Sequence, residues 1–253
     1  MSLSDEQYRR FSNWTFDSFR KAAQDESLSK YEKIGYPDSY RDDKEGLVFQ
    51  NILANLPLLN ERGKVVLDVG PGCSGLPLMM VDLCRKQGHK LLLVDSEEML
   101  AHLPNDDFIQ KFPAYYPQCE PLFEQYTSKV DVLLTYGVVQ LVFVEGNLWD
   151  FLDRSLELLA EGGQMLIGEI PNISKRRRFF SSANGVKFHK EFMNTQDPPE
   201  VHFNRLERHN IDDSVILAMV TRARNQGFDA YILPQAPGLP FENRREDVLI
   251  RRP

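Results

Sequence analysis

The sequence predicts an α/β fold: a doubly wound, mostly parallel seven-stranded sheet with helices on both faces and an antiparallel C-terminal hairpin. Three observations predict it. Short runs rich in Val and Leu alternate with amphipathic stretches from Lys64 to Ile170, the rhythm of strand–helix–strand units. The first such run ends in a glycine-rich turn that opens a helix, Leu67-Asp68-Val69-Gly70-Pro71-Gly72-Cys73-Ser74-Gly75. The chain then closes on two short strand-like runs joined by a turn containing Pro and Gly.

The elements follow in order. Residues 1–60 read as an N-terminal helical and lid segment. Within it Tyr8, Phe11, Trp14, Phe16 and Phe19 recur at roughly helical spacing and predict one packed aromatic face. Lys30 to Arg41 reads as an ordered loop with three tyrosines, and Gly46 to Leu59 as a helix leading to the sheet. Residues 61–253 read as the α/β domain. Strands are predicted at Lys64–Val69, Lys90–Asp95, Phe108–Ala114, Val130–Tyr136 and Gln164–Ile170. Helices are predicted at Leu76–Gln87, with Pro77 in the tolerated first turn and Gly88 past the end, at Glu97–Leu103, and at Leu148–Ala160, stopped by Glu161-Gly162-Gly163. Residues 173–209 are polar, rich in Lys, Arg and Phe, without strand rhythm, and read as a substrate-side insertion. A helix then runs from Asp212/Asp213 to Arg224, and Asp229–Leu233 and Asp247–Arg251 form the hairpin around residues 234–240.

Composition narrows the function. Apolar content of 42% and charged content of 26% are those of an ordinary water-soluble globular protein. A net charge of -7 argues against a general nucleic-acid binder. The N-terminus lacks a signal-peptide core and no run approaches membrane-spanning length. Cys73, Cys84 and Cys119 are odd in number and lack metal-ligand spacing. They read as reduced thiols of a cytoplasmic protein, with no metal site.

The chemistry concentrates at the glycine turn. Gly70 and Gly72 let backbone approach a ligand because no Cβ intervenes, and the following helix offers free N–H groups. Gly70-Pro71-Gly72-Cys73-Ser74-Gly75 satisfies the dinucleotide pattern G-x-G-x-x-G, and Asp95 ends the next strand where ribose hydroxyls would sit. Asp68 pulls away from that reading. A carboxylate two residues before the first glycine would crowd a pyrophosphate but suits a ligand with an ammonium group.

These residues resemble the class I S-adenosylmethionine-dependent methyltransferases. The likeness rests on Leu67 to Gly75, Val94-Asp95, Val130-Asp131-Val132-Leu133-Leu134-Thr135-Tyr136, Leu158 to Ile167 and the terminal hairpin, in order and spacing over residues 47–253 apart from the insertion. It implies S-adenosyl-L-methionine as cofactor and a Rossmann-like transferase fold. Gly70, Pro71 and Gly72 would approach the methionine part, Asp68 would help hold its amino group, and Asp95 with Ser96 would meet the ribose. Tyr136 and Gly137 would line the methyl-transfer cleft. No clear acid stands after the third strand, in Phe112-Pro113-Ala114-Tyr115-Tyr116-Pro117, to face an adenine. Residues 31–41 and Gly168-Glu169-Ile170-Pro171-Asn172 further resemble bacterial methyltransferases of surface-polysaccharide and sugar biosynthesis.

The acceptor side offers residues with two readings each. Glu169 and Asn172 lie at the carboxyl end of the fifth strand, where ligands bind in open α/β sheets, with Glu169 a candidate base. The plain alternative is a solvated strand end and a turn former. Lys175-Arg176-Arg177-Arg178, with Lys187, His189 and Lys190, is a basic stretch that would clamp an anionic acceptor, Arg176 foremost, or simply be a solvated loop. His189 is a second candidate base among three histidines whose spacing fits no metal motif. Tyr36, Tyr40 and Arg41 form a lid over the pocket or a loop packed on the domain. Three functions stay open: methyl transfer to a small-molecule or saccharide-like, anionic acceptor; a nicotinamide-dependent oxidoreductase; and a non-catalytic methyltransferase-like binding protein.

Overall fold

The computed structural model describes residue 11, residues 14–205 and residues 207–253; Tyr8 of the predicted aromatic face lies outside them. The chain forms one seven-stranded sheet in the order β3-β2-β1-β4-β5-β7-β6. The strands are β1 (Val65–Val69), β2 (Lys90–Asp95), β3 (Ile109–Pro113), β4 (Val130–Tyr136), β5 (Leu159–Pro171), β6 (Asp229–Pro234) and β7 (Arg245–Arg251). The first five are parallel, and β7 runs antiparallel between β5 and β6. The doubly wound fold read from the sequence is the fold observed. The order reverses beside β1, so the carboxyl ends of β1 and β4 open a crevice where the glycine turn emerges.

Strand alternation sends side chains to two helical layers. Leu67, Val69, Leu92 and Val94 face a core built with α6 (Glu120–Tyr126), α8 (Leu148–Leu158) and α11 (Asp213–Asn225). Val66, Leu91 and Leu93 face the other core, closed by α3 (Glu45–Asn55) and α4 (Gly75–Gln87). Val48, Ile52, Leu56 and Leu59 are wholly buried there, so the segment before the sheet shares its core. By the same alternation Asp68 and Asp95 belong to this second face. The remaining helices are α1 (Phe16–Gln24), α2 (Asp38–Arg41), α5 (Glu97–Leu100), α7 (Val139–Glu145), α9 (Ile173–Phe180) and α10 (Ala183–Met193). No helix among the described residues is long and apolar enough to cross a membrane.

Two boundaries differ from expectation for physical reasons. The helix predicted to reach Ala160 ends at Leu158, because Leu159 takes extended dihedrals and pairs with Val130. Gly162, at φ +73°, then turns the strand before Gln164 rejoins the ladder. The insertion, which shows no strand rhythm, contains two helices, α9 and α10. They pack through Phe179, Phe180 and Phe188, aromatics that masked the helical period behind a basic run. At their corner Gly185 lies against the Phe179 carbonyl, and a Cβ there would overlap that backbone. Gly185→Ala is therefore expected to lower unfolding free energy by about 1–3 kcal/mol, read by thermal melting, since backbone cannot yield as a side chain does.

Candidate functional site

The glycine turn is built as its sequence requires. Gly70 and Gly72 sit at φ +72° and +67°, in the left-handed region that disfavours side chains. Gly70 N–H donates to the Val94 carbonyl at 2.8 Å, tying the turn to β2. Asp95 completes the tie: Oδ2 accepts from Gly72 N–H at 3.1 Å and Oδ1 from Ser96 N–H at 2.7 Å. Ser96 in turn caps α5 through Met99 N–H.

Asp68 is the anomaly. It is 5% exposed, and among the described residues its carboxylate meets neither a hydrogen-bond donor nor a cation. Burial first, then repulsion from Asp95, pushes its pKa up to about 8. Asp95 is itself raised to about 6, by burial and against the two backbone N–H groups that stabilise its charge. Two buried acids side by side, one of them without a donor among the described residues, make this end of the crevice strongly acidic. Cys73, inside the turn, is no nucleophile: burial lifts its thiol to about 11.

The segment before the sheet closes over this turn. A Cβ on Gly72 would stand 2.7 Å from Ile34, and one on Gly70 2.5 Å from Val138. Glu45 reaches the start of α4, where Oε1 accepts from Gly75 N–H at 2.8 Å and Leu76 N–H at 3.2 Å. Tyr31 donates to the other Glu45 oxygen at 3.2 Å. Glu45, unremarkable in the sequence, thus pins the segment before the sheet to the helix end beside the glycine turn.

A second charged group lies across the crevice. Between Ile167 and Ile170 the β5–β7 register shifts by one residue, a bulge that re-aims the intervening side chain. Glu169 sits in it at φ +60°, a strained conformation for a non-glycine, held by its N–H on Asp247 Oδ1 at 2.7 Å. Its carboxylate ion-pairs with Arg41 and, at 2.5 Å, with Arg245; Tyr36 hydroxyl adds a 3.4 Å contact and donates nothing shorter. Arg41 also lies over the Tyr36 ring at 4.3 Å. A Cβ on Gly137, just after β4, would stand 3.2 Å from Glu169 Oε2 and 3.6 Å from the Tyr36 hydroxyl. Tyr36, Arg41, Gly137, Glu169 and Arg245 therefore converge. Arg41 Nε and Gln140 Oε1 beside them are buried without a partner. Asp247, across the bulge, is raised to about 6 by burial.

The remaining predicted residues divide. Tyr136 borders this group, with its ring against Gly168. Tyr40 stacks on Phe241 at 4.7 Å, beside the group and not in it. Asn172 is committed to structure: Oδ1 caps α9 on Ser174 and Lys175 N–H, and Nδ2 donates to Asp213 and Glu246. Two bonds accepted and two donated fill the hydrogen-bonding capacity of its amide. His189 packs edge-on against Phe180 at 6.1 Å, and among the described residues no hydrogen bond or ion pair joins it to the Glu169 group. Arg176 lines a separate open groove of about 480 Å3 with Arg177, Phe180, Arg205 and Arg208. Sequence reasoning missed Arg245 and Asp247. The signal available was three successive charged residues before an apolar run in the terminal strand, Arg245-Glu246-Asp247-Val248-Leu249-Ile250.

No family model matches the chain, and no curated protein matches it. Solved structures do. An S-adenosylmethionine-dependent methyltransferase from Aquifex aeolicus is 12% identical, with a TM-score of 0.55 over 88% of this chain and 97% of that one. The plantazolicin methyltransferase BpumL, solved with a triazolic desmethylPZN analog and SAH, is 12% identical, with a TM-score of 0.55 over 98% of this chain and 99% of that one. The plantazolicin methyltransferase BamL is 11% identical, with a TM-score of 0.54 over 94% and 96%. The chain shares the methyltransferase α/β fold with these proteins.

Proposed function

We propose that this chain is an S-adenosyl-L-methionine-dependent methyltransferase of the cytoplasm, acting on a small, saccharide-like and anionic acceptor. The observation that carries the reading is the unpartnered, buried carboxylate of Asp68 beside Asp95 at the end of β1. A pyrophosphate would add negative charge to that place; a ligand bearing an ammonium group removes the conflict. This favours methyl transfer over a nicotinamide cofactor. The methyltransferases of the same fold, two of them solved with SAH, support it.

The residues present fit the cofactor. Asp68 would hold its amino group. Asp95 uses one backbone N–H on each oxygen, so lone pairs stay available for ribose hydroxyls. Gly70, Pro71 and Gly72 would lie along the methionine part. When bound, S-adenosyl-L-methionine supplies a methyl group already activated as a sulfonium. The protein's share is then mainly alignment. Gly137, Tyr36 and Glu169 form the acceptor wall, and Glu169 is the group placed to accept a hydroxyl proton there. Arg41 and Arg245 fix the orientation of that carboxylate from both sides.

Ionisation of Asp68 gives a linked prediction. In the empty protein its proton is held to about pH 8. Binding an ammonium group favours the carboxylate and expels that proton. Affinity for S-adenosylhomocysteine is expected to rise between about pH 6 and pH 8, by up to about tenfold per unit. Calorimetry in buffers of different ionisation enthalpy should show proton release near pH 7. Absence of release assigns the ammonium to another group. The sign reverses for folding: the raised carboxylate binds its proton more tightly folded than unfolded, so stability of the empty protein falls as pH rises from about 4 to about 8.

The acceptor class is tested by labelled methyl transfer from S-adenosyl-L-methionine to hexuronates, sugar phosphates and neutral sugars. Transfer to anionic sugars is expected. Transfer to the neutral sugars alone contradicts the anionic reading.

A further inference from the structure

On α9 every cation but one has an acid. Lys175 reaches Glu246 at 4.0 Å, Arg177 reaches Glu207 at 2.9 Å, and Arg178 pairs with Asp213. Arg176 is exposed and has no acid within ion-pair distance among the described residues; it lies over the Phe180 ring at 5.3 Å. Arg205 and Arg208, in the segment facing α9, are exposed; among the described residues neither side chain forms an ion pair within 4 Å, and Arg205 feels Glu200 only at longer range. All three line the same groove of about 480 Å3. Its four arginines stand against two glutamates, Glu200 and Glu207, which leaves a local charge of +2 in a chain of net charge -7.

The groove is held in shape. Arg177 donates to the Arg205 carbonyl at 2.8 Å and to Glu207 at 2.9 Å, riveting the facing segment to α9. Its Nε is buried and has no acceptor. A solvated basic loop would splay its cations apart, since like charges repel; here they converge on one cavity. Phe180 lines it, Arg244 lies over Phe180 at 5.7 Å, and the next residue, Arg245, pairs with Glu169.

We infer that this groove is an anion subsite for a phosphoryl group carried by the acceptor, held by Arg176, Arg205 and Arg208. Planar guanidinium forks match tetrahedral phosphate oxygens, and a local charge of +2 matches a phosphoryl dianion better than a single carboxylate. The inference deepens the methyl-transfer reading and rests on it for the acceptor's identity, while anion binding itself can be measured separately.

The experiment is calorimetric titration of the full chain, saturated with S-adenosylhomocysteine, at low ionic strength. The probes are inorganic phosphate, pyrophosphate and glucuronate. Pyrophosphate is expected to bind most tightly and glucuronate most weakly. Arg205→Ala/Arg208→Ala should weaken pyrophosphate at least about 30-fold, from the loss of two charge-assisted contacts, and Arg176→Ala about tenfold. Lys187→Ala, in the insertion but outside the groove, should change it less than about twofold, and S-adenosylhomocysteine affinity should hold in all three. No pyrophosphate binding, equal binding by the double variant, or preference for glucuronate overturns the inference. Pyrophosphate binding in a protein that does not bind S-adenosylhomocysteine overturns the methyl-transfer reading and supports the groove as an anion site.

Discussion

Asp95→Ala is expected to weaken S-adenosylhomocysteine binding about 100-fold or more. In the proposed complex the Asp95 carboxylate meets both ribose hydroxyls, and charge-assisted hydrogen bonds contribute about 1.5–3 kcal/mol each. Two of them give about 3 kcal/mol, close to two orders of magnitude. A second effect works in the same direction. Asp95 holds Gly72 N–H and Ser96 N–H, so its loss frees the turn as well as the ribose position. Asp95→Asn separates the two, because an amide keeps one acceptor oxygen but no charge; it should fall between wild type and Asp95→Ala. Calorimetry gives the affinities and thermal melting of the empty variants gives the cost to the turn. Unchanged affinity in Asp95→Ala would move the cofactor site elsewhere.

Glu169→Gln is expected to damage stability and activity together. Arg41 is 5% exposed and its Glu169 partner 1%. Neutralising the carboxylate leaves the buried Arg41 and the partly buried Arg245 guanidiniums without a counter-charge. Breaking a buried ion pair by removing one partner costs about 3–5 kcal/mol, which in a chain of this size lowers the melting temperature by roughly 10 °C. The lid should loosen as well, because Tyr36 and Arg41 lose their anchor to β5; faster proteolysis within residues 31–45 reads that directly. Methyl transfer should fall by at least about 100-fold, from the loss of the proton acceptor and of its alignment. A variant that melts like wild type and keeps its lid would show that the three charges are not coupled as the geometry implies.

The proposed cofactor half of the site is one whose grammar in the sequence is local. Asp68, Gly70, Gly72 and Asp95 announce themselves through a strand end, a bare turn and the next strand end, all within 28 residues. The acceptor half is assembled over long chain separations. Arg41 and Glu169 stand 128 residues apart, and Tyr36 and Arg245 stand 209 apart. No spacing rule links such residues: Asp247 reads as the start of the terminal strand, and Arg245 lies before that predicted strand. Asn172 carries two readings for a different reason: a position at the binding edge of the sheet is also where a helix needs its cap. The bulge that turns Glu169 into the crevice leaves no mark in an apolar run, which is why its placement came from register alone.

The central claim is that the acids at the ends of β1 and β2 hold S-adenosyl-L-methionine. The most direct measurement is calorimetric titration of the purified full chain with S-adenosylhomocysteine at pH 7.5, with NADH as the competing candidate. The account predicts saturable binding of S-adenosylhomocysteine to one site per chain, and no heat with NADH. Binding of NADH, or no binding of S-adenosylhomocysteine, would contradict it.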